Sequence, residues 1–291
     1  MERLIFTNSR GDTVHIGGGQ SPFLLSLVGG LGDVQTEIRT QKNSFTDGSH
    51  YINSVLAERE IPVSFVIEAE EYSEISKHRS ALTKCLNPKI GQGVLTYIND
   101  YITVSIKAVC ETIPVFPDGT ENRGRRFQKG EVNFICHDPL FYTDRERDDL
   151  GAWMDNFEFE LEIPEDTGWE IGYKDPTAIV NVINDGHVET GMEVEIRAAG
   201  TVKNPSIINV QTGEYLKIIK TMESGEIITI NTNKGIKSVI SNYEDKIVRK
   251  LDLKSTFFQL DVGDNLLKYD AEDKFELMEM SVYHTPKLLG V

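Results

Sequence analysis

Three residue types that can build a nucleophilic site follow one another in "NFICHDPLFYT", residues 133–143. Cys136 could supply a thiolate, His137 a base, and Asp138 a carboxylate that orients the imidazole ring. In a β-strand, however, successive side chains point to opposite faces, so Cys136 and Asp138 share one face and His137 lies on the other. The three side chains then cannot meet at one substrate atom. We predict a strand end without catalytic chemistry, with Cys136 buried and Pro139 keeping Asp138 extended.

Two glycine-rich stretches also resemble phosphate-binding loops, but only superficially. "GGGQ" (17–20) and "VGGLG" (28–32) lack the GxGxxG spacing, and neither is followed by the Lys-Ser/Thr pair of a P-loop. We interpret them as a flexible loop and a turn of a β domain. The histidines show no HxH or HxxxH spacing, and the cysteines form no CxxC pair. We therefore predict no catalytic, cofactor-binding or metal-binding residue, while a metal site assembled from distant residues stays open; the histidines are His15, His50, His78, His137, His187 and His284.

Two further features have alternative interpretations. The basic run "RGRR", Arg123 to Arg126, could contact an acidic partner surface or form a solvated hairpin tip, and we favour the tip. Trp153 and Trp169 are the only tryptophans. They could form a platform for stacking on a sugar, or they could anchor a core or a domain junction, which we favour.

Composition excludes several classes of function. A net charge of -16 argues against a nucleic-acid-binding protein, which needs a basic face against phosphates, and against binding to anionic membranes. Acidic residues are concentrated in residues 144–175, which hold twelve Asp/Glu and three Lys/Arg. No apolar run is long enough for a signal peptide or a spanning helix. Three widely spaced cysteines fit folding in a reducing cytoplasm without disulfides.

Most of the chain has the two-residue period of β-strands. "FEFELEI" (157–163) alternates apolar and acidic residues strictly, and "MEVEIR" (192–197) does the same. Turns are expected at "ESGE" around Gly225 and at "NTNKG" around Gly235. "GVLTYI" and "YITVSIKAV" are predicted to form a hairpin joined through Asn99-Asp100.

One segment has helical periodicity. "EYSEISKHRSALTKCLNPK" predicts a helix with Ser73 as its N-cap and Asn87-Pro88 as its stop. The first half therefore reads as strands, one helix and more strands. The second half reads as many short antiparallel strands, as in a sandwich, with the acidic segment as the junction. The residues expected along one helical face are Tyr72, Ile75, Arg79, Leu82 and Leu86.

The second half resembles the C-terminal domain of the siphophage distal tail protein (Dit) family. The resemblance rests on the order and spacing of several motifs, which are the step Asn204–Ile207, the turn Thr212–Glu214, Ile230–Thr232 and the "SxFFxLxxGxN" block Ser255–Asn265. The first half is similar to the family's N-terminal domain. Its matching segments are Gly30–Lys42, Asp47–Tyr51, Ala57–Ile67 and the closing "CHDPLFY", and the chain end "SVYHTPKLLGV" is also similar.

The resemblance implies a mainly β, structural virion protein without enzymatic activity. It implies an N-terminal ring-forming domain with one helix (1–145) and a C-terminal galectin-like β-sandwich (146–277); the final strand, about 278–291, can return to the first domain. Six copies would form a hub ring that joins the tail tube to a tail-associated lysin or tip-fibre protein. The outward domains would offer a docking platform for receptor-binding proteins. Assembly would take place in the bacterial host cytoplasm, and the protein would end at the tail tip of the virion.

Two alternatives come from other classes of function. One is a carbohydrate-binding module that contacts the host cell wall through the galectin-like half, and the other is a hydrolase. The hydrolase is disfavoured because the sequence lacks a paired-carboxylate or nucleophile signature. At 291 residues the chain has no room for the long inserted carbohydrate-binding modules of some family members.

Two structural expectations follow for the assembly. Ring closure should pair exposed strand edges of the first half, with Phe23, Leu24 and Leu25 packing between subunits. The acidic segment should stay solvated, because unpaired buried carboxylates are costly. We therefore expect Glu158, Glu160 and Glu162 of "FEFELEI" to face solvent, with Phe157, Phe159 and Leu161 on something apolar.

Overall fold

The computed structural model describes residues 2–19, 21–45, 47–150 and 179–291, and the backbone of 152–155 and 172–175. The chain divides into two compact units. The first contains Met1–Asp144 together with Leu288–Val291, and the second contains Arg145–Lys287. Each unit has its own cluster of buried apolar side chains. The mainly β fold class is confirmed.

The first unit is built on a nine-stranded sheet and one α-helix, and its central path runs β2-β1-β7-β8-β9-β6-β3. The two ends of this path approach each other, since a Cβ placed on Gly17 would lie 3.1 Å from the Cβ of Leu25. A separate two-stranded ribbon, β4-β5, leaves the sheet. The elements are β1 (Arg3–Thr7), β2 (Thr13–Gly17), β3 (Phe23–Val28), β4 (Thr36–Gln41), β5 (His50–Leu56), β6 (Arg59–Glu68), α1 (Tyr72–Cys85), a 3-10 turn (Pro88–Ile90), β7 (Gly93–Ile98), β8 (Thr103–Cys110), β9 (Phe127–Cys136) and β10 (Phe141–Tyr142).

The longest strand pair in this unit follows from a strict alternation of inward-facing and outward-facing side chains. β6 and β9 run antiparallel over ten residues each, and every second side chain of β6 is buried. On the partner strand β9, the side chains of Phe134 and Cys136 are fully buried. The apolar face of this pair forms the centre of the first core, which also contains residues from the other strands of the sheet.

Helix α1 occupies the predicted segment, but its N-cap differs from the prediction. The N-cap is Glu71, whose side chain makes no capping hydrogen bond. The hydroxyl of Ser73 instead donates to a carboxylate oxygen of Glu71 at 3.3 Å. The prediction of Ser73 as the N-cap was wrong, because an N-cap at Ser73 requires the helix to begin at residue 74, whereas it begins two residues earlier, at Tyr72. Of the predicted apolar face, Ile75, Leu82 and Leu86 are buried, whereas Tyr72 is exposed.

The second unit is a sandwich of a five-stranded sheet, β11-β23-β15-β20-β21, and a four-stranded sheet, β14-β22-β17-β18. Two small ribbons, β12-β13 and β16-β19, complete it. The strands are β11 (Glu146–Leu150), β12 (Ala152–Asp155), β13 (Gly172–Asp175), β14 (Val180–Asn184), β15 (Met192–Ala198), β16 (Val202–Lys203), β17 (Ser206–Asn209), β18 (Tyr215–Lys217), β19 (Thr221–Met222), β20 (Ile227–Asn231), β21 (Ser238–Ser241), β22 (Gly263–Asp270) and β23 (Met278–His284); short 3-10 turns cover Val248–Lys250 and Phe275–Leu277. The last strand, β24 (Lys287–Leu288), pairs with β10 in the nine-stranded sheet.

The sequence led us to expect that residues 278–291 return to the first unit as a final strand, but most of this segment stays in the second unit. Strand β23 lies inside the five-stranded sheet of the second unit, between β11 and β15. Only the last four residues belong to the first unit. There Leu288 joins the core, and the amide of Val291 donates to the carbonyl of Leu31 at 3.1 Å.

The acidic junction is described only in part. "FEFELEI" (157–163) lies outside the described residues, so the expected solvent-facing glutamates stay a prediction. Before it, strand β11 is described in full, and its Glu146, Arg147 and Asp149 are exposed while Leu150 is buried.

Candidate assembly surface

The β4-β5 ribbon exposes an unusual amount of apolar surface. Every residue of β4 is exposed, as is every residue of β5 except the last. Ile38 is 62% exposed, Ile52 58% and Tyr51 65%, and Phe45, in the loop between the strands, is 99% exposed. Single exposed apolar residues are common on protein surfaces, but a contiguous group on one ribbon marks an interaction surface.

Both faces of the ribbon carry apolar side chains. Ile38 lies directly opposite Ser54, and Tyr51, opposite Thr40, shares their face, with its hydroxyl 3.0 Å from that of Ser54. Val55 lies opposite Glu37 and therefore on the other face. The pairing shifts between Arg39 and Thr40 so that Ile52 is the extra residue of a bulge, which increases the local twist. A partner that covers only one face would leave the other face in water.

The base of the ribbon is held firmly by the first unit. The amide of Ala57 donates to the carbonyl of Gln35 at 2.8 Å, which closes the base of the ribbon. Just before it, Gly30 has φ 73°, and a Cβ there would lie 1.9 Å from the carbonyl oxygen of Glu60. Only glycine permits this approach. The stretch "VGGLG" is therefore a tight turn beside β6, as the sequence predicted.

A buried arginine secures the same region. Arg59, 1% exposed, donates from Nε to the carbonyl of Pro139 at 2.8 Å and from its terminal nitrogens to the carbonyls of Gly30 and Leu289, each at 2.5 Å. Its guanidinium also lies 4.7 Å from the centre of the Phe141 ring. Burial lowers the pKa of Arg59, although the nearby Cys136 and Asp33 act in the opposite direction. One side chain thus joins the base of the ribbon, the end of β9 and the C-terminal tail.

Sequence reasoning missed Arg59, although a signal was present. In "REIPVSFVI" the arginine stands in phase with Ile61, Val63, Phe65 and Ile67, all of which are buried. A charged residue at an inward position of an alternating strand indicates a buried polar site.

The Cys-His-Asp sequence does not converge in the structure. Cys136 lies in the core, where burial raises the pKa of its thiol to about 12. His137 pairs with Glu58 at 2.8 Å on the surface. Asp138 accepts hydrogen bonds from the amide of Leu140 and the hydroxyl of Tyr142. The thiol is thus held as a poor nucleophile, and the imidazole has no contact with it.

The other candidate residues occupy structural positions. Gly17–Gly19 line an open cleft of about 600 Å³ between β2, the start of β3 and α1. Arg123 of "RGRR" lies 5.0 Å from the centre of the Tyr72 ring and bonds to Asp118. The side chains of Trp153 and Trp169 lie outside the described residues. Within the described ranges, no group of three or more His, Cys, Asp or Glu side chains is placed to hold a metal ion.

Comparison with known families assigns both halves of the chain, in order. A model described as a phage tail protein RIFT-related domain matches residues 18–136, and one described as a siphovirus-type tail component, C-terminal domain, matches residues 185–286. This chain belongs to the siphophage distal tail protein family. It is a hub component of the tail baseplate, located at the tail tip of the virion.

Solved structures share the fold of this distal tail protein. The crystal structure of phage SPP1 Dit, described as a paradigm of the hub adsorption apparatus in Gram-positive-infecting phages, matches with a TM-score of 0.71 at 15% identity, covering 99% of each chain. A chain of the phage P2 baseplate in its activated conformation with calcium matches with a TM-score of 0.52 at 10% identity, covering 100% of this chain and 99% of that one. No curated protein sequence matches. Among the described residues, no helix has the length and apolar character needed to cross a membrane.

Proposed function

We propose that six copies of this distal tail protein close a ring through their first units. The ring joins the tail tube to a tail-associated lysin or tip-fibre protein. The sandwich of each copy offers a docking face for receptor-binding proteins. The protein acts by assembly and catalyses no reaction; the number six and the identity of the neighbours rest on the family resemblance.

The observation that carries the proposal is the exposed β4-β5 ribbon. An isolated two-stranded ribbon is at best marginally stable in water, so a protein that keeps one gains from covering it. A second copy of the chain supplies the cover. In a closed ring each subunit uses one patch to meet a different patch on the next, so every ribbon finds a neighbour and none is left over.

The ribbon also revises which apolar residues serve the ring. Phe23 was expected between subunits, but it is buried in the core of its own unit, 6.4 Å ring to ring from Phe65. That expectation was wrong because the inward positions of β3 begin with Phe23 and not with Leu24. Leu24 remains exposed and is available for a contact between subunits, whereas Leu25 packs partly on the core.

Substitutions in the ribbon test this interface. Ile38→Asp and Ile52→Asp each place a carboxylate where the proposal has an apolar contact. Because both side chains are exposed in the single chain, neither change should unfold the subunit. The matched control is Ile240→Asp, which changes an isoleucine 44% exposed on the edge strand β21 of the second unit.

The readout is the solution mass of the full chain by light scattering at several concentrations. The unmodified chain should approach six times its 32.7 kDa mass, and Ile240→Asp should match it. Both ribbon variants should shift to single chains with unchanged circular dichroism. The proposal fails if the ribbon variants assemble like the unmodified chain, or if Ile240→Asp alone dissociates it.

A further inference from the structure

The open cleft between β2, the start of β3 and α1 is an apolar site on the surface of the first unit. Its volume of about 600 Å³ lies within the range of about 300–1,000 Å³ that is usual for binding pockets. Val14 of β2, Phe23 of β3 and Leu82 of α1 are buried residues of its lining, and Ala81 of α1 is an exposed one. A side chain that enters the cleft therefore meets apolar groups from all three elements.

The rim of the cleft carries a cation. Arg3 is exposed and belongs to the lining, and no described residue of the lining carries a carboxylate. The carboxylates next to the lining in sequence are engaged: Glu2 bonds to the hydroxyl of Tyr97, and Asp12 accepts from the side-chain amide of Asn8 at 3.3 Å. The cleft therefore favours an apolar group that brings a carboxylate with it.

The tip of the β4-β5 ribbon presents such a pair of groups. Phe45 is the most exposed aromatic side chain among the described residues, at 99%, so it does not occupy the cleft of its own chain. Asp47, two residues later, is also exposed. A phenylalanine that stands entirely in water, next to the other exposed apolar residues of the ribbon, gains stability when a partner buries it.

The cleft and the ribbon lie at opposite ends of strand β3. The strand begins at Phe23, in the lining of the cleft, and ends at Val28, from which the turn "VGGLG" leads to β4. The five residue steps between these ends span about 17 Å. A projecting group at one end and a receiving site at the other is the arrangement that a head-to-tail contact between identical copies requires.

We propose that Phe45 of one copy seats in the cleft of the next copy, with Asp47 facing Arg3 at the rim. This assignment rests on the ring proposed above, and it names the surface that receives the ribbon. An aromatic anchor in an apolar pocket is the kind of contact that carries most of the binding energy of an interface. The exposed pair of Asp47 and Arg3 adds little affinity but orients the tip.

Substitutions at the tip and at the cleft test the anchor through the solution mass of the full chain. Phe45→Asp should raise the concentration at which half of the chains are assembled by about thirtyfold or more. Its matched control is Tyr101→Asp, which changes a tyrosine 95% exposed between β7 and β8 of the same unit and should leave assembly unchanged. Ala81→Trp should weaken assembly by filling the cleft, whereas Ser80→Trp, at the exposed neighbouring position outside the lining, should not.

Thiol cross-linking tests the seat while Phe45 stays in place. Asp47→Cys combined with Arg3→Cys puts one exposed thiol on the tip and one on the rim, and the three native cysteines are buried. In the assembled full chain, bismaleimidoethane should join these thiols into a ladder of two to six chains on a denaturing gel. The control pair, Asp47→Cys with Tyr101→Cys, has as many exposed thiols and should give no ladder.

The outcomes separate the seat of Phe45 from the ring itself. The seat is overturned, and the ring stands, if the chain assembles but the test pair links no better than the control pair, or if Phe45→Asp assembles like Tyr101→Asp. Linked products and a solution mass that both stop at two chains would keep the seat and overturn the ring. If the purified chain stays single, the same two pairs are linked in tails of phages that carry them, and the same ladder decides.

Discussion

Replacing Arg59 with methionine should destabilise the first unit severely. The change keeps an unbranched apolar stem but removes the donors to three carbonyl groups; the hydrogen bond to Gly30 is buried, and those to Pro139 and Leu289 are partly buried. Each buried acceptor left without a partner costs about 1–3 kcal/mol. Relief of the buried charge offsets part of this sum. We expect a net loss of about 3–5 kcal/mol, and the C-terminal tail should be released together with the base of the ribbon.

Tryptophan fluorescence would not report on the first unit, because both tryptophans of the chain lie in residues 145–287. Hydrogen exchange measured as a function of urea concentration isolates the effect instead. The peptide covering β6 gives the free energy of opening of the first unit. The matched control is Arg79→Met, since Arg79 also lies over an aromatic ring, 4.6 Å from the centre of Phe116, but is only half-buried.

The control should cost less than about 1 kcal/mol, the usual size of a cation–π contact at an exposed site. The reasoning about Arg59 is refuted if Arg59→Met lies within about 1 kcal/mol of the unmodified chain. It is also refuted if the two methionine variants behave alike, or if the loss appears in peptides of the second unit instead.

Three other changes test separate parts of the account. Burial alone would raise the pKa of the Glu226 carboxyl, but the hydrogen bonds that it accepts from Lys220 and Ser241 outweigh burial and lower that pKa. The second unit should therefore lose stability as pH falls from about 5 to 3. In urea titrations, Glu226→Gln should flatten this pH dependence and cost about 3 kcal/mol of stability at pH 7. Gly30→Ala should lower the stability of the first unit by more than about 2 kcal/mol, measured by hydrogen exchange in urea as for Arg59, because the added Cβ overlaps the backbone carbonyl of Glu60 and no flexible side chain can move to relieve it. An unchanged free energy of unfolding would show that the turn adapts. Phages carrying His137→Ala should assemble normal tails and remain infectious, because the exposed pair with Glu58 contributes less than about 1 kcal/mol; intact but non-infectious particles would indicate a chemical role.

Local patterns predicted much of the strand architecture. The hairpin at Asn99-Asp100 is present, with the Asn99 side chain accepting from the amides of Tyr101 and Ile102 at 2.8 and 2.7 Å. Gly225 and Gly235 adopt positive φ at the expected turns. These features depend on residues close in sequence, where side-chain period and turn chemistry act directly.

Features that depend on distant partners escaped prediction. The contacts of Arg59 come from carbonyls up to 230 positions away, and the burial of His284 depends on a strand more than 130 residues earlier. The exposure of the ribbon was equally hidden, since "TEIRTQ" and "HYINSVL" have the composition of ordinary strands. Whether such a strand faces a core or water is decided by what packs on it and not by its own sequence.

Cryo-electron microscopy of the intact tail tip tests the central claim most directly. The account predicts a closed ring of six copies of this distal tail protein, formed by the first units, with Ile38 and Ile52 of each ribbon buried against the next copy. A tip in which the ribbons project into solvent, or in which the contacts between copies run through the second units, would contradict it.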